Sequence, residues 1–206
     1  MIKKTMFLSL VLILVVAAAP VFAAAGPKEQ LKTTVDKVLE VLKDKSLSPE
    51  QSREQVAALI KNRFNFRAMS QGVLGINWRR ADQQQRDRFI ELFTEVLKNS
   101  YLGRIEAYSN EKVEYGDQRI EGNRAVVDTT IVTEQNKEIP VNYSMVHEDD
   151  QWLVYDVKIE GVSLVLNFRT SYSEIVRKSG VDGLLQQLAA KVQQLNSGAD
   201  KGGKGQ

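Results

Sequence analysis

Along most of this chain the apolar residues recur in one of two periods, and the changes of period mark out the elements. Between 28 and 44, Leu31, Val35, Val38, Leu39 and Leu42 repeat about every 3.6 residues, which predicts an amphipathic helix. Ser46-Leu47-Ser48-Pro49 ends it. Ser48 is placed to cap a second helix, with Pro49 in its first turn and Gln51 completing a capping box. Val56, Leu59, Ile60 and Phe64 mark the buried face of that helix. A third begins after Asp82, a cap residue with Gln85 three positions on. Its stripe of Phe89, Leu92, Phe93, Val96, Leu97, Tyr101 and Ile105 carries it to about Tyr108.

From 111 to 160 the chain turns to short runs rich in Val, Ile, Thr and Tyr, which predict strands near 111–117, 123–134, 138–147 and 151–160. The turns fall at Glu121-Gly122-Asn123, Glu134-Gln135-Asn136-Lys137 and Glu148-Asp149-Asp150, short enough to imply antiparallel hairpins. Pro140, early in its strand, argues for an edge or a bulge. Helical spacing then returns. One helix spans Thr170 to Lys178 and closes at Ser179-Gly180; the last carries Val181, Leu184, Leu185, Leu188, Val192 and Leu195. Residues 197–206, rich in Gly and Lys, have the composition of a disordered tail. The order predicts an α+β domain over 26–196, with helices packed on a curved antiparallel sheet of about four strands.

The strands hold more apolar surface than one core face requires. Ala125, Val127, Thr129 and Ile131 share a face while Val126 and Val132 take the other; simple alternation sets Leu153, Tyr155, Val157 and Ile159 opposite Trp152 and Val154. The surplus either lines a cavity between the sheet and the long helix or reflects helices on both faces. Gly161-Val162-Ser163-Leu164-Val165-Leu166-Asn167-Phe168 fits neither period and is read as an apolar loop, to be buried or to face an apolar ligand.

The N-terminus changes the picture of where this domain works. Lys3 and Lys4 precede an apolar run from Met6 to Val16, and small residues at 23–25 follow Pro20, the pattern of a secretory signal peptide over 1–25 with cleavage near 23–25. An uncleaved anchor is the alternative; the run is short for a membrane span. Loss of Lys3 and Lys4 removes no acid, so the mature chain would carry 26 basic and 26 acidic residues and no general pull toward nucleic acid. With no cysteine there is no disulfide, thiolate or lipoprotein anchor, and the single histidine, His147, excludes a multi-histidine metal site. His147 beside Glu148, Asp149 and Asp150 reads as a solvated hairpin tip. Asp156 and Arg169 are placed to pair and hold the sheet to the following helix, and Trp78 and Trp152 read as core anchors. Arg79, Arg80, Arg86 and Arg88 gather near the start of the long helix, as solvated surface or as a contact for a partner or for phosphate.

Three blocks of residues carry a family resemblance. The first is Phe64-Asn65-Phe66 with Met69, Leu74-Gly75, Trp78-Arg79, Gln85-Arg86, Phe89 and Phe93. The second is Ile139-Pro140-Val141 with Tyr143. The third runs from Trp152 through Tyr155-Asp156-Val157, Ile159-Glu160-Gly161 and Val162-Ser163-Leu164 to Asn167 and Arg169. In order and spacing they resemble the MlaC family, the periplasmic phospholipid-binding component of the Mla lipid-transport pathway, also known as the toluene-tolerance or ABC-transporter auxiliary family. The resemblance implies no cofactor and no catalysis. It implies a periplasmic monomer that holds phospholipid acyl chains in an apolar cavity and shuttles between an outer-membrane lipoprotein–porin complex and an inner-membrane ABC transporter with its membrane-anchored substrate-binding subunit. A hopanoid or other lipid as cargo, a non-carrying adaptor, and an enzyme acting on an apolar substrate in the same pocket are the competing readings.

A carrier of this kind must nearly match the membrane. At ~0.8 kcal/mol per buried methylene, an acyl chain of about 16 carbons gains roughly 12 kcal/mol from burial in either place. The expected lining is the inward stripe of the long helix (Leu92, Phe93, Val96, Leu97, Tyr101), the sheet residues Val127, Ile131, Tyr143, Met145, Val157 and Ile159, and Val162, Leu166 and Phe168 of the apolar loop.

Overall fold

The structure, a computed structural model, describes residues 25–107 and 111–202. The expected signal segment therefore lies outside the described residues up to position 24, as do residues 203–206 of the tail. Among the described residues no helix is long and apolar enough to cross a membrane.

Helix starts fall where the caps put them. Helix α1 spans Pro27–Lys43 and α2 spans Pro49–Arg63. Ser48 closes its capping box: its hydroxyl accepts the Gln51 backbone N–H at 3.2 Å, and its own N–H donates to Gln51 Oε1 at 2.9 Å. Two short helices follow, α3 (Phe66–Leu74), capped by Asn65, and α4 (Asn77–Arg80). Neither has enough turns to show a period in the sequence. Helix α5, Gln83–Ala107, opens on the reciprocal Asp82–Gln85 pair at 2.8 and 3.1 Å.

Strands β1 (Lys112–Glu121), β2 (Arg124–Val132), β3 (Glu138–Glu148), β4 (Gln151–Ile159) and β5 (Val162–Ser163) form one antiparallel sheet in chain order. The fifth, two-residue strand is one more than expected. Pro140 sits in the central strand, against the expectation of an edge. Its carbonyl accepts from Glu160 N–H at 2.9 Å, just past the end of β4. The side on which its N–H is missing therefore has no β4 residue left to pair.

A bulge between Ser144 and Met145 in the β3–β4 register makes Tyr155 an extra residue of β4. Simple alternation fails there. Val154 pairs with Met145 and Val157 with Tyr143, so Trp152, Val154, Val157 and Ile159 share one face. The apparent surplus on two faces of β4 is a register shift. The opposite face of the sheet carries the polar group Arg119, Asp128 and Asn142, hydrogen-bonded together at 2.6–3.3 Å.

The stretch 161–168, expected to be a loop, is β5 and the first turn of helix α6, which spans Leu164–Gly202 with a kink at Gly180 (φ +70°, a value that favours glycine). The expected closure at Ser179-Gly180 is thus a kink inside a longer helical stretch. The helix also continues to Gly202, into the segment expected to be a disordered tail. One core, between α3, α5 and α6, is aromatic: Phe93 meets Phe168 at 5.2 Å and Phe89 at 5.5 Å, and Phe168 meets Tyr172 at 5.4 Å. A second lies between Leu31 of α1 and the sheet residues Ala125, Val127, Met145, Val154 and Trp152.

Asp156 and Arg169 do not pair. Asp156 accepts from Ser163 Oγ at 2.6 Å and from the Val165 backbone N–H at 3.1 Å, and Ser163 Oγ accepts from Leu166 N–H at 3.0 Å. Arg169 donates instead to the Gly72 carbonyl, at 2.6 Å. The carboxylate thus fixes the first turn of α6 to β4 through that helix's free N–H groups. Asp156→Ala leaves the Val165 N–H unmatched and the Ser163 hydroxyl without its acceptor, and the expected loss is about 1–2 kcal/mol, or a melting temperature lower by roughly 3–6 °C. An unchanged melting temperature contradicts that role.

Candidate functional site

Cross-strand rows show where the sheet face is covered. The row Ala125–Met145–Val154 and Val127 beside it lie under Leu31 and are dry. Toward the β2–β3 hairpin the rows Val113–Ile131–Ile139 and Val141–Ile159 line a cavity. Over this half α1, α2 and α5 stand off the sheet and enclose a cavity of about 730 Å³. The volume falls in the range of about 300–1,000 Å³ usual for ligand pockets. The α1 stripe Val35, Val38, Leu39 and Leu42 forms one wall and is only half-buried. Ala57 and Ile60 of α2, and Leu97, Tyr101 and Ile105 of α5, form the facing wall. Phe64, Phe66, Met69 and Leu164 also line it.

Arg63 fastens the helical wall to the sheet. Its Nε donates to Thr34 Oγ1 at 2.9 Å, and one terminal nitrogen donates to Gln30 Oε1 at 2.8 Å and to the Trp152 carbonyl at 2.7 Å. Gln30 Oε1 also accepts the Trp152 N–H at 3.0 Å. Three neutral acceptors thus hold a half-buried cation, and burial lowers its pKa. Around the cavity the charges mostly pair: Lys98 with Glu95 at 2.6 Å, Lys137 with Glu160 at 3.6 Å, while the Arg104 guanidinium lies 5.7 Å from the Tyr101 ring centre.

Two phenols lie near the sheet floor. Burial pushes the Tyr143 hydroxyl, in the cavity wall, up to about 12. The buried Tyr115 hydroxyl has no hydrogen-bond partner, and burial, with Asp36 and Tyr143 adding to it, raises its pKa further.

Of the residues expected to line a cavity, the structure brings Leu97, Tyr101, Ile131, Tyr143, Val157 and Ile159 together in its wall. Leu92, Phe93 and Val96 lie in the helical core, because the first half of α5 turns its stripe toward α3 and α6. Phe168 joins the aromatic group there. Val127 and Met145 are on the right face of the sheet but under Leu31. Val162 and Leu166 are exposed, at 58% and 56%, because the supposed loop is strand β5 and the first turn of α6 and turns Leu164 inward instead. The α1 and α2 residues were absent from the expected lining, although the stripe that would have found them is in the sequence. His147 stacks against Trp152 at 4.9 Å, and among the described residues no group of three His, Cys, Asp or Glu side chains is arranged to hold a metal.

Comparison with known proteins adds to this geometry. The sequence profile of the family described as MlaC protein matches residues 32–190. The chain is 20% identical to the intermembrane phospholipid transport system binding protein MlaC of Haemophilus influenzae, over 84% of this chain and 85% of that protein. It is 22% identical to the toluene tolerance protein ttg2D of Pseudomonas putida, over 92% and 93% of the two chains. Among solved structures, the phospholipid-binding protein from Ralstonia solanacearum, in complex with a phospholipid, superposes with a TM-score of 0.76 at 26% identity, covering 84% of this chain and 99% of that one.

The cavity wall makes a prediction for alkaline pH. An unfolded tyrosine ionises near pH 10, but Tyr143 in the fold keeps its proton to about 12. Between these values the unfolded chain has lost a proton that the folded chain retains, so stability falls as pH rises. In Tyr143→Phe the melting temperature should decline less steeply over that window. An unchanged slope would mean that this phenol is not shielded from water.

Proposed function

Because this chain belongs to the MlaC family, we propose that it is a lipid carrier that holds the acyl chains of a phospholipid in the cavity between α1, α2, α5 and the sheet. The observation that carries this reading is the cavity on one half of the sheet face: apolar rows of the sheet line it, walled by apolar helix residues that stay half-buried. A soluble domain has reason to keep such a surface only if something apolar fills it. That a relative of the same fold, 26% identical, has been solved with a phospholipid bound supports the choice of cargo. The proposed contacts are Val38, Leu39, Ala57, Leu97, Tyr101, Ile139 and Ile159, with Ile131, Tyr143 and Val157 deepening the floor.

The N-terminal pattern of Lys3, Lys4 and the apolar run to Val16 supports export to the periplasm. There the carrier would move lipid between an outer-membrane lipoprotein–porin complex and an inner-membrane ABC transporter. No step of that work requires catalysis or a cofactor. The carboxylates around the cavity fit this reading: Glu95 and Glu160 are each paired with a lysine rather than held as a buried acid or base.

Native mass spectrometry of the mature protein, purified from the periplasm without detergent, should show an added mass that extracts as a phospholipid. Ala57→Trp or Leu39→Trp fills the cavity from the helical wall. Either should cut the bound lipid severalfold while circular dichroism stays that of the native fold. A bare wild-type mass points to a non-carrying adaptor. Full lipid content in both variants places the acyl chains elsewhere.

A further inference from the structure

One corner of the molecule lies outside the cavity and, among the described residues, carries more arginines than acids. Helix α4 and the ends of α3 and α6 meet there. Arg169 reaches across from α6 to donate to the Gly72 carbonyl and packs against Gly75, which precedes the exposed Ile76. One turn before Arg169 is the exposed Leu166, and four residues earlier the exposed Val162. Arg79 and Arg80 project from α4 into solvent. Behind them Arg67 and Arg86 each lie over the Trp78 ring, at 5.6 and 5.5 Å from its centre.

Among the described residues none of these five arginines has a carboxylate within salt-bridge distance. Of the nearby acids Glu91 is neutralised by Arg88, while Asp82, Asp182 and Asp87 accept only from neutral glutamine groups and keep their charges, so the five arginines outnumber three acids. In a chain whose described mature part is near neutrality, this is a local excess of positive charge, interleaved with three exposed apolar side chains.

We infer that this corner docks on an anionic bilayer surface. The chemistry favours that occupant over a protein. The apolar residues stand singly among the guanidinium groups and form no contiguous apolar patch of the kind a stable protein interface buries. Guanidinium groups bind phosphate well, and scattered Ile, Leu and Val side chains reach the headgroup boundary without inserting deeply. Binding of this kind is reversible, as it must be for a protein that has to leave again. The inference stands on the corner alone and does not depend on what fills the cavity.

The test is cosedimentation of the full mature chain with vesicles at low salt. It should pellet with phosphatidylcholine vesicles that contain phosphatidylglycerol, not with phosphatidylcholine alone, and should be released as salt is raised. The double variant Arg79→Glu with Arg80→Glu should bind at least about tenfold more weakly, and Leu166→Ser should weaken binding by a smaller factor. Lys43→Glu with Lys45→Glu makes the same charge change on the α1–α2 loop and should bind as wild type. Cavity lipid measured on the same samples separates loss of docking from loss of carrying. Wild-type protein that ignores anionic vesicles overturns the inference and leaves the corner to an acidic protein partner. Equal losses in the two charge reversals overturn it as well, because net charge and not this corner would then be the cause.

Discussion

A single guanidinium joins three of the elements that make the cavity, α1, α2 and β4. Arg63 stands at the end of α2, bonds Gln30 and Thr34 of α1, and reaches the Trp152 carbonyl of β4. In seating the α1–α2 hairpin on the sheet it works beside the Trp152 N–H bond to Gln30 Oε1 and the Lys28 ammonium, which donates to the Gly116 carbonyl of β1 at 2.9 Å. At its other end the hairpin is held to α5 by the Arg53–Glu106 pair, two bonds of 2.8 and 2.7 Å that face water. A half-buried cation is costly to desolvate, and the cost is borne here by three well-placed neutral acceptors. The hairpin is thus firmly seated over the Ala125–Met145–Val154 row and lightly held beyond it, and the light end is where the cavity opens.

In the proposed carrier that division also sets the energetics of carriage. Each methylene moved from membrane to cavity must find contacts worth about the ~0.8 kcal/mol it gives up. A dry, close-packed interior has no room for it. The open rows of the sheet face do, because Val35, Val38, Leu39 and Leu42 on α1 are not yet fully buried and gain contacts when a chain lies against them. Filling the cavity therefore stabilises the fold as well as the cargo, by ordinary linkage.

Much of this was legible in the sequence. The caps at Ser48 and Asp82, the hairpin turns and the change of period place most of the elements within a few residues. The family blocks at Phe64–Phe66, Ile139–Tyr143 and Trp152–Arg169 point to the kind of fold and site. What failed shares one cause: period identifies the face of an element and says nothing of what lies over it. Val127 and Ile131 are on one face of β2, but Leu31 covers the first and the cavity opens over the second. Phe93 and Tyr101 are on one stripe of α5, but α6 packs on the first. The bulge at Tyr155 inverts the alternation of β4 and leaves no mark in composition. Leu164 was recoverable, since Val165, Phe168 and Tyr172 already follow helical spacing and would have turned the supposed loop into a helix.

The use of arginine ties the interior to the surface. Arg63, Arg86 and Arg169 each donate to a backbone carbonyl, of Trp152, Trp78 and Gly72, at 2.7, 2.9 and 2.6 Å. The carbonyls of Gly72 and Trp78 lie within the last turns of α3 and α4, where helix geometry leaves oxygens without intrahelical partners and the dipole favours a cation. Several lysines on the helices pair with acids instead, as Lys98 does with Glu95 and Lys178 with Glu174, while Lys28 donates to the Gly116 carbonyl. A carbonyl satisfies a donor without cancelling its charge. An arginine spent on closing a helix end therefore keeps its positive field, and a carboxylate in the same place would have removed it. Because α3, α4 and the start of α6 close their ends on one corner, the same bonds that hold those helices together leave that corner positive in a chain of nearly balanced charge.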